Sequence, residues 1–231
     1  MFKNSTIVKA VAMLNESIER YKMLNPDDFK VCISKGNVKI GRVMNFSIAP
    51  IITCGKACAH CMGYCYDVKA VIQYPDSVVD ARARNTVLAT YYRDRLFNEI
   101  DKAMSRRRRN KFFRWHVAGD ILDLDYFTRM VENARRHPDF TIWTYTKQYS
   151  IINEYCKMYG RDSIPSNFTV MFSEWRGLPM VNPYNFPEFR VVFKGEEVPS
   201  DATWVCPGNC DICKAAGRGC VGNETTYAHE H

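Results

Sequence analysis

"KFFRWHVAGDILDLDYFTRMVENARRHPDFTIWTYTK", residues 111–147, carries the pattern that decides the fold. Its first ten residues read as a strand ending at Gly119, rich in aromatic and β-branched side chains. "DLDYFTRMVENARRHP" reads as a helix, capped by Asp123 or Asp125 and stopped before Pro138. "FTIWTYTK" is the next strand. Two strands joined through a helix run parallel, because the helix carries the chain back to its starting end.

The alternation extends outward from this unit. Downstream come a helix, "SIINEYCKMYG", ending at Gly160, and two further strands, "FTVMFSEW" and "EFRVVF". Upstream, "VKIGRVMNFSIAP" reads as a strand or hairpin. From about Ser77 to Ser105 the pattern predicts one long helix, capped by Asp76 or Ser77, with Leu88, Tyr92, Leu96 and Ile100 as its buried stripe. Ile7, Val11, Leu14, Ile18 and Tyr21 mark an amphipathic helix near the start. The expected fold is α/β: a partial (β/α) barrel of about five or six mainly parallel strands with a small C-terminal cysteine-rich extension. The expected divisions are 1–40 (N-terminal helix and lead-in), 41–195 (partial barrel) and 196–231 (extension), the last carrying little besides its cysteines.

Chemistry in such folds gathers at the C-terminal ends of the strands. The cysteine loop after the first strand, Gly119–Asp120 and Thr146–Lys147 all fall there. Strand alternation puts Arg114, His116 and Asp120 on one face and Phe113, Trp115 and Val117 on the other. Phe189, Val191 and Phe193 likewise oppose Arg190. The polar face looks either into an interior cavity or, at a sheet edge, into solvent.

The totals narrow the class. The chain has 231 residues, 46% of them hydrophobic, enough for a sizeable core. A net charge of +7 mildly favours acidic partners such as nucleic acid. The first apolar stretch is broken by Lys9, Asn15 and Glu16, so no secretory signal is read, and no run is long enough to span a membrane. The expected location is cytoplasmic, the host cytoplasm if a phage encodes the chain.

Eight of the ten cysteines lie in two clusters, which in a chain of this kind points to metal rather than disulfides. Cys32 and Cys156 stand alone and read as ordinary thiols. "ITCGKACAHCMGYCYD", residues 51–66, spaces Cys54, Cys58 and Cys61 as C-x3-C-x2-C, with Cys65 following. Structural zinc prefers two cysteine pairs separated by a longer loop. Four thiols crowded into one loop favour an iron–sulfur ligand set.

This arrangement resembles that of radical S-adenosylmethionine (SAM) enzymes, in which C-x3-C-x2-C follows the first strand. The resemblance implies that Cys54, Cys58 and Cys61 bind a 4Fe–4S cluster whose fourth iron is left for SAM. "VAGDILDLDYFTRMVENAR" resembles the glycine-rich segment after the second strand of that superfamily, which implies that Gly119 and Asp120 contact the SAM amino group. His60 stands where the superfamily usually has an aromatic residue. Two departures are visible. The turn is Ala118-Gly119-Asp120 rather than Gly-Gly-Glu, with a shorter carboxylate, and Cys65 is an added thiol. Cys65 is either a spare thiol packed under the loop or a fourth ligand that closes the cluster. A nearer resemblance, covering roughly residues 44–221, is to the small phage and plasmid gene-product-88-like proteins. It is carried by the cysteine loop, by residues 114–147 and by the C-terminal cysteines.

That second cluster, Cys206, Cys210, Cys213 and Cys220, lies in "WVCPGNCDICKAAGRGCV" and can close around zinc or a second 4Fe–4S cluster. Many radical SAM enzymes carry an auxiliary cluster in a similar extension. His116, Lys147, Ser173 and Arg190 are candidates to line the SAM and substrate pocket, and an external electron donor is implied. Arg106, Arg107, Arg108 and Arg109 are either a solvated helix end or a contact for nucleic acid, with Trp143, Tyr145 and Trp175 as base-stacking or core residues. The first expectation is thus a radical SAM-like enzyme. The alternative is a non-enzymatic zinc or closed iron–sulfur protein that contacts nucleic acid.

Overall fold

In the computed structural model, which describes residues 1–37, 40–55 and 59–230 apart from the side chain of His60, the strands form one sheet. They are β1 (Met44–Phe46), β2 (Phe112–Trp115), β3 (Thr141–Thr146), β4 (Phe168–Ser173), β5 (Glu188–Val192) and β6 (Thr226–His229). Their order across the sheet is their order along the chain, and every neighbouring pair is parallel. Among the described residues β1 does not pair with β6, so the sheet is a partial barrel that stays open. The helices are α1 (Asn4–Lys22), α2 (Ala59–Gly63), α3 (Tyr66–Gln73), α4 (Asp80–Tyr91), α5 (Arg93–Ser105), α6 (Leu124–Arg136), α7 (Tyr149–Tyr159) and α8 (Cys210–Ala216).

The two faces of the sheet are covered differently. Phe46, Phe113, Trp115, Ile142, Val170 and Phe172 pack into the main core with Leu88, Leu96 and Ile100 of α4 and α5, Phe127 of α6 and Ile152 of α7. The other face presents Phe112, Trp143, Tyr145, Met171 and Phe189, and Cys220 and Val221 of the C-terminal segment cover it. Covering on both faces explains why every residue of β4 is buried, including Thr169 and Ser173.

Three expectations change. The long helix is two helices, broken at Tyr92 (φ −135°, ψ 49°) and entered through a π-helical turn, Pro75–Val79, without a side-chain cap. The break lets Arg93 bind the Ala89 carbonyl (2.9 Å) while its guanidinium pairs with Asp123 and Asp125 at the start of α6. β2 stops at Trp115, because His116 takes a left-handed φ of +52°. The tail holds more than cysteines, since β6 extends the sheet beside β5. Asp123 caps α6 as one of the two expected residues, accepting from the Tyr126 N–H at 2.9 Å.

Candidate metal centres at the strand ends and on the open face

The loop after β1 is fixed from beneath by α4. Asn85, fully buried, donates to the Ser47 carbonyl (2.9 Å) and exchanges two hydrogen bonds with the Cys32 backbone, each 2.8 Å. Thr86 Oγ1 accepts the Ala49 N–H at 2.8 Å. Ile51 takes a left-handed φ of +67°, and its N–H points to Cys54 Sγ at 3.3 Å. The turn after β2 closes onto this loop. Ala118 accepts from the Ile48 N–H (3.1 Å) and donates to Ser47 Oγ (3.2 Å). Gly119 sits at φ +81°, and a Cβ there would lie 2.3 Å from Ile48 Cγ1 and 2.8 Å from Thr53 Oγ1. Only glycine fits at so close an approach.

Asp120 ties the same turn to the end of β3. Its carboxylate accepts from Thr146 Oγ1 (2.7 Å), the Ile121 N–H (2.7 Å) and the Lys147 N–H (2.9 Å). Burial pushes its pKa up against those three donors. Gln148 completes the clamp, donating from Nε2 to the Cys54 carbonyl at 2.9 Å while its N–H bonds Thr146 Oγ1 at 2.9 Å. A Cβ on Gly55 would stand 2.6 Å from that Nε2. The structure therefore brings Cys54, Gly119 and Asp120 together at the C-terminal ends of β1, β2 and β3.

Other expected pocket residues lie apart. Lys147 Nζ reaches Ser173 Oγ (3.1 Å) at the end of β4 and lies 5.3 Å from the Trp175 ring centre. Arg190 is held by Glu188 (2.6 Å) and Glu174 (3.5 Å) on β5 and beside β4. His116 leaves the shared face assigned to it. Its left-handed backbone turns the ring toward α6, where Nε2 meets Tyr126 Oη at 3.1 Å. Burial, with the Arg114 charge, pushes its pKa down to about 3. β2 lies between β1 and β3, so neither Arg114 nor His116 is at a sheet edge.

The thiols of the first loop feel one another. Burial pushes Cys54 up to about 12, with Asp120, Cys65 and Cys61 adding to the rise and the Ile51 N–H opposing it. Burial likewise pushes Cys65 up to about 11. Cys65 also packs against the main core, beside Asp67, whose carboxylate takes a two-point pair from Arg82 (both 2.9 Å). Cys58 and the His60 side chain lie outside the described residues. Thiols kept protonated by burial and mutual repulsion suit a site where a metal cation supplies the missing positive charge. Among the described residues no three His, Cys, Asp or Glu side chains converge as they stand on a point that holds an ion.

The second cluster is laid on the open face. The Cys206 N–H bonds the Tyr227 carbonyl (2.7 Å), which seats the segment on β6. α8 is capped by Asn209, whose side chain accepts from the Asp211 N–H, and is closed by left-handed Gly217. Cys220 is pushed up to about 12 by burial, and Tyr145 Oη reaches its sulfur at 2.8 Å. Trp143 and Tyr145 are therefore core residues beneath this segment, not free stacking platforms. The arginine run follows α5 and leads into the N-terminal end of β2, the end of the sheet away from the cysteine loop. Sequence reading missed Asn85, Thr86, Thr53 and Gln148. Their roles depend on contacts between distant segments, and no local pattern marks them.

Among protein families, the chain matches the one described as Gene product 88 over residues 25–228. No curated protein and no solved structure matches it. Among the described residues no helix is long and apolar enough to cross a membrane.

Proposed function

The chain belongs to the Gene product 88 family, and from that premise we propose that it is a radical SAM-type iron–sulfur enzyme working in the cytoplasm with an external electron donor. In this reading Cys54, Cys58 and Cys61 hold a 4Fe–4S cluster. When bound, the cluster supplies an electron for the reductive cleavage of SAM. The observation that carries the reading is the seating of the Gly119 turn on the cysteine loop, at the ends of three adjacent parallel strands. Gly119 lets the turn lie directly against Ile48 and Thr53 of the cysteine loop. Asp120 and Gln148 hold the loop and turn in register. Lys147, steadied by Ser173, offers a cation to a carboxylate at the same end of the sheet.

A second reading has its own observation. Cys65 stands close enough to Cys54 and Cys61 for their charges to act on one another. As a fourth ligand it would close the site, leaving a metal-stabilised protein whose contact is nucleic acid, through the arginine run. Anaerobic reconstitution separates the two. The enzyme reading expects iron and sulfide in the first loop, a spectral change on adding SAM, and 5′-deoxyadenosine release under reducing conditions. It also expects Cys65→Ala to keep the cluster and Cys58→Ala to lose it. Equal loss in both variants, with a spectrum indifferent to SAM, would establish the closed site.

A further inference from the structure

The face of the sheet beneath the C-terminal segment carries a cation, Arg114, that forms no ion pair among the described residues. Arg114, in register with Asn45 and Trp143, lies on the face opposite Phe113 and Trp115. Its guanidinium stands 4.5 Å from the centre of the Tyr145 ring. Its Nε is buried and has no hydrogen-bond partner among the described residues. The groups that act most on its charge are Tyr145, Tyr66, Cys210 and Cys220, none of them a carboxylate. Arg114 is half-buried, its guanidinium stays protonated, and its buried Nε keeps its desolvation cost until a partner meets it. An opposite charge is available above Arg114, where Cys213 and Cys220 are buried and Cys206 and Cys210 are half-buried.

We propose that Arg114 is the counter-charge of a dianionic four-thiolate metal centre formed by Cys206, Cys210, Cys213 and Cys220 on the open face of the sheet. Four thiols give up four protons to solvent as the metal binds. A zinc ion inside four thiolates leaves a net charge of minus two, and an oxidised 4Fe–4S core leaves the same. Both are thiophilic centres of one charge, and either meets the cation beneath. The sulfurs do not converge on one point as they stand, so metal binding and the final folding of this segment are coupled. Tyr145 holds the centre from below, its ring under the guanidinium and its hydroxyl on Cys220.

The test is independent of the first loop. In the full chain carrying Cys54→Ala, Cys58→Ala and Cys61→Ala, one equivalent of zinc, or one cluster after treatment with iron and sulfide, is expected to remain. Whichever binds identifies the centre. Adding Arg114→Gln should weaken zinc retention against a chelator roughly 10–100-fold, the range for groups that support metal ligands, and Arg114→Lys should recover most of it. The wild-type chain gives a second measurement. Zinc should shield Cys206, Cys210, Cys213 and Cys220 from alkylation together. Unchanged retention in Arg114→Gln, or extension thiols that alkylate as fast with zinc as without, would overturn the proposal.

Discussion

His116 ends β2 with its ring buried between Phe46, Trp115 and Tyr126, and burial holds its pKa at about 3. Below its ordinary value near 6.5 the unfolded chain takes up a proton that the folded chain refuses. This group's contribution to stability is therefore complete above about pH 6.5 and is lost as pH falls toward 3, by up to about 1.4 kcal/mol per unit. His116→Asn, which tolerates the left-handed backbone, should flatten that slope when urea midpoints are compared near pH 7 and pH 4.5. An unchanged slope would put the acid lability elsewhere. Asp120 gives a different expectation. Its three bonds are all to the chain itself, so Asp120→Ala leaves three donors without a partner. The expected cost is about 2–4 kcal/mol of folding stability in urea titration, because stranded buried groups keep their desolvation penalty. A loss below about 1 kcal/mol would mean that water replaces the carboxylate freely. Sequence made this residue prominent as a ligand contact or a helix-entry cap; the bonds to Thr146 and Lys147 depend on β3 lying beside β2.

At the scale of elements, the strand–helix rhythm from 111 to 173 was legible because each piece is bounded locally. Asp123 caps α6, Gly160 ends α7, and β4 is buried throughout and mostly apolar. What stayed hidden was set by partners far along the chain. Tyr92 breaks a helix whose apolar spacing runs on uninterrupted, and Arg93, just past the break, pairs with two carboxylates some thirty residues later. β6 is four residues long and takes its place from β5 and from the loop before it. The site was legible in part for the same cause: cysteine spacing is local, whereas the clamp made by Gln148 is not. That clamp has a test. Gly119→Ala forces a Cβ into Ile48 and Thr53 at a positive φ, and should cost about 2–4 kcal/mol from strain and overpacking. Gln148→Ala removes one bond to the Cys54 carbonyl, so the fold should hold to within about 1 kcal/mol. If the first loop holds a cluster, Gln148→Ala should also shed iron to a chelator faster than the parent. Equal rates of iron loss would show that the clamp has no part in holding it.

For the whole molecule, the parallel sheet separates its ends. The cysteine loop lies where the strands finish, and the run Arg106–Arg109 lies where β2 begins. Arg106, Arg108 and Arg109 are exposed, while Arg107 is half-buried and Lys111 pairs with Asp139. At about 3.3 Å per residue even a short strand puts ~10–15 Å between these ends. That exceeds the ~8 Å screening length at physiological salt, so charge gained or lost in the loop is scarcely felt by the arginines. Three exposed arginines that each neutralise one duplex phosphate should contribute about 2–3 to the slope of log affinity against log salt. Replacing Arg106, Arg108 and Arg109 by Gln should lower the slope by that amount, and should weaken binding to different sequences equally, because phosphate contacts carry no base information. Loading the first loop with metal should leave the affinity where it was. Fluorescence anisotropy with a labelled duplex, over a series of salt concentrations, reads both effects. A slope unmoved by the three substitutions, or no binding at low salt, would leave the arginines as a solvated helix end that balances the α5 dipole.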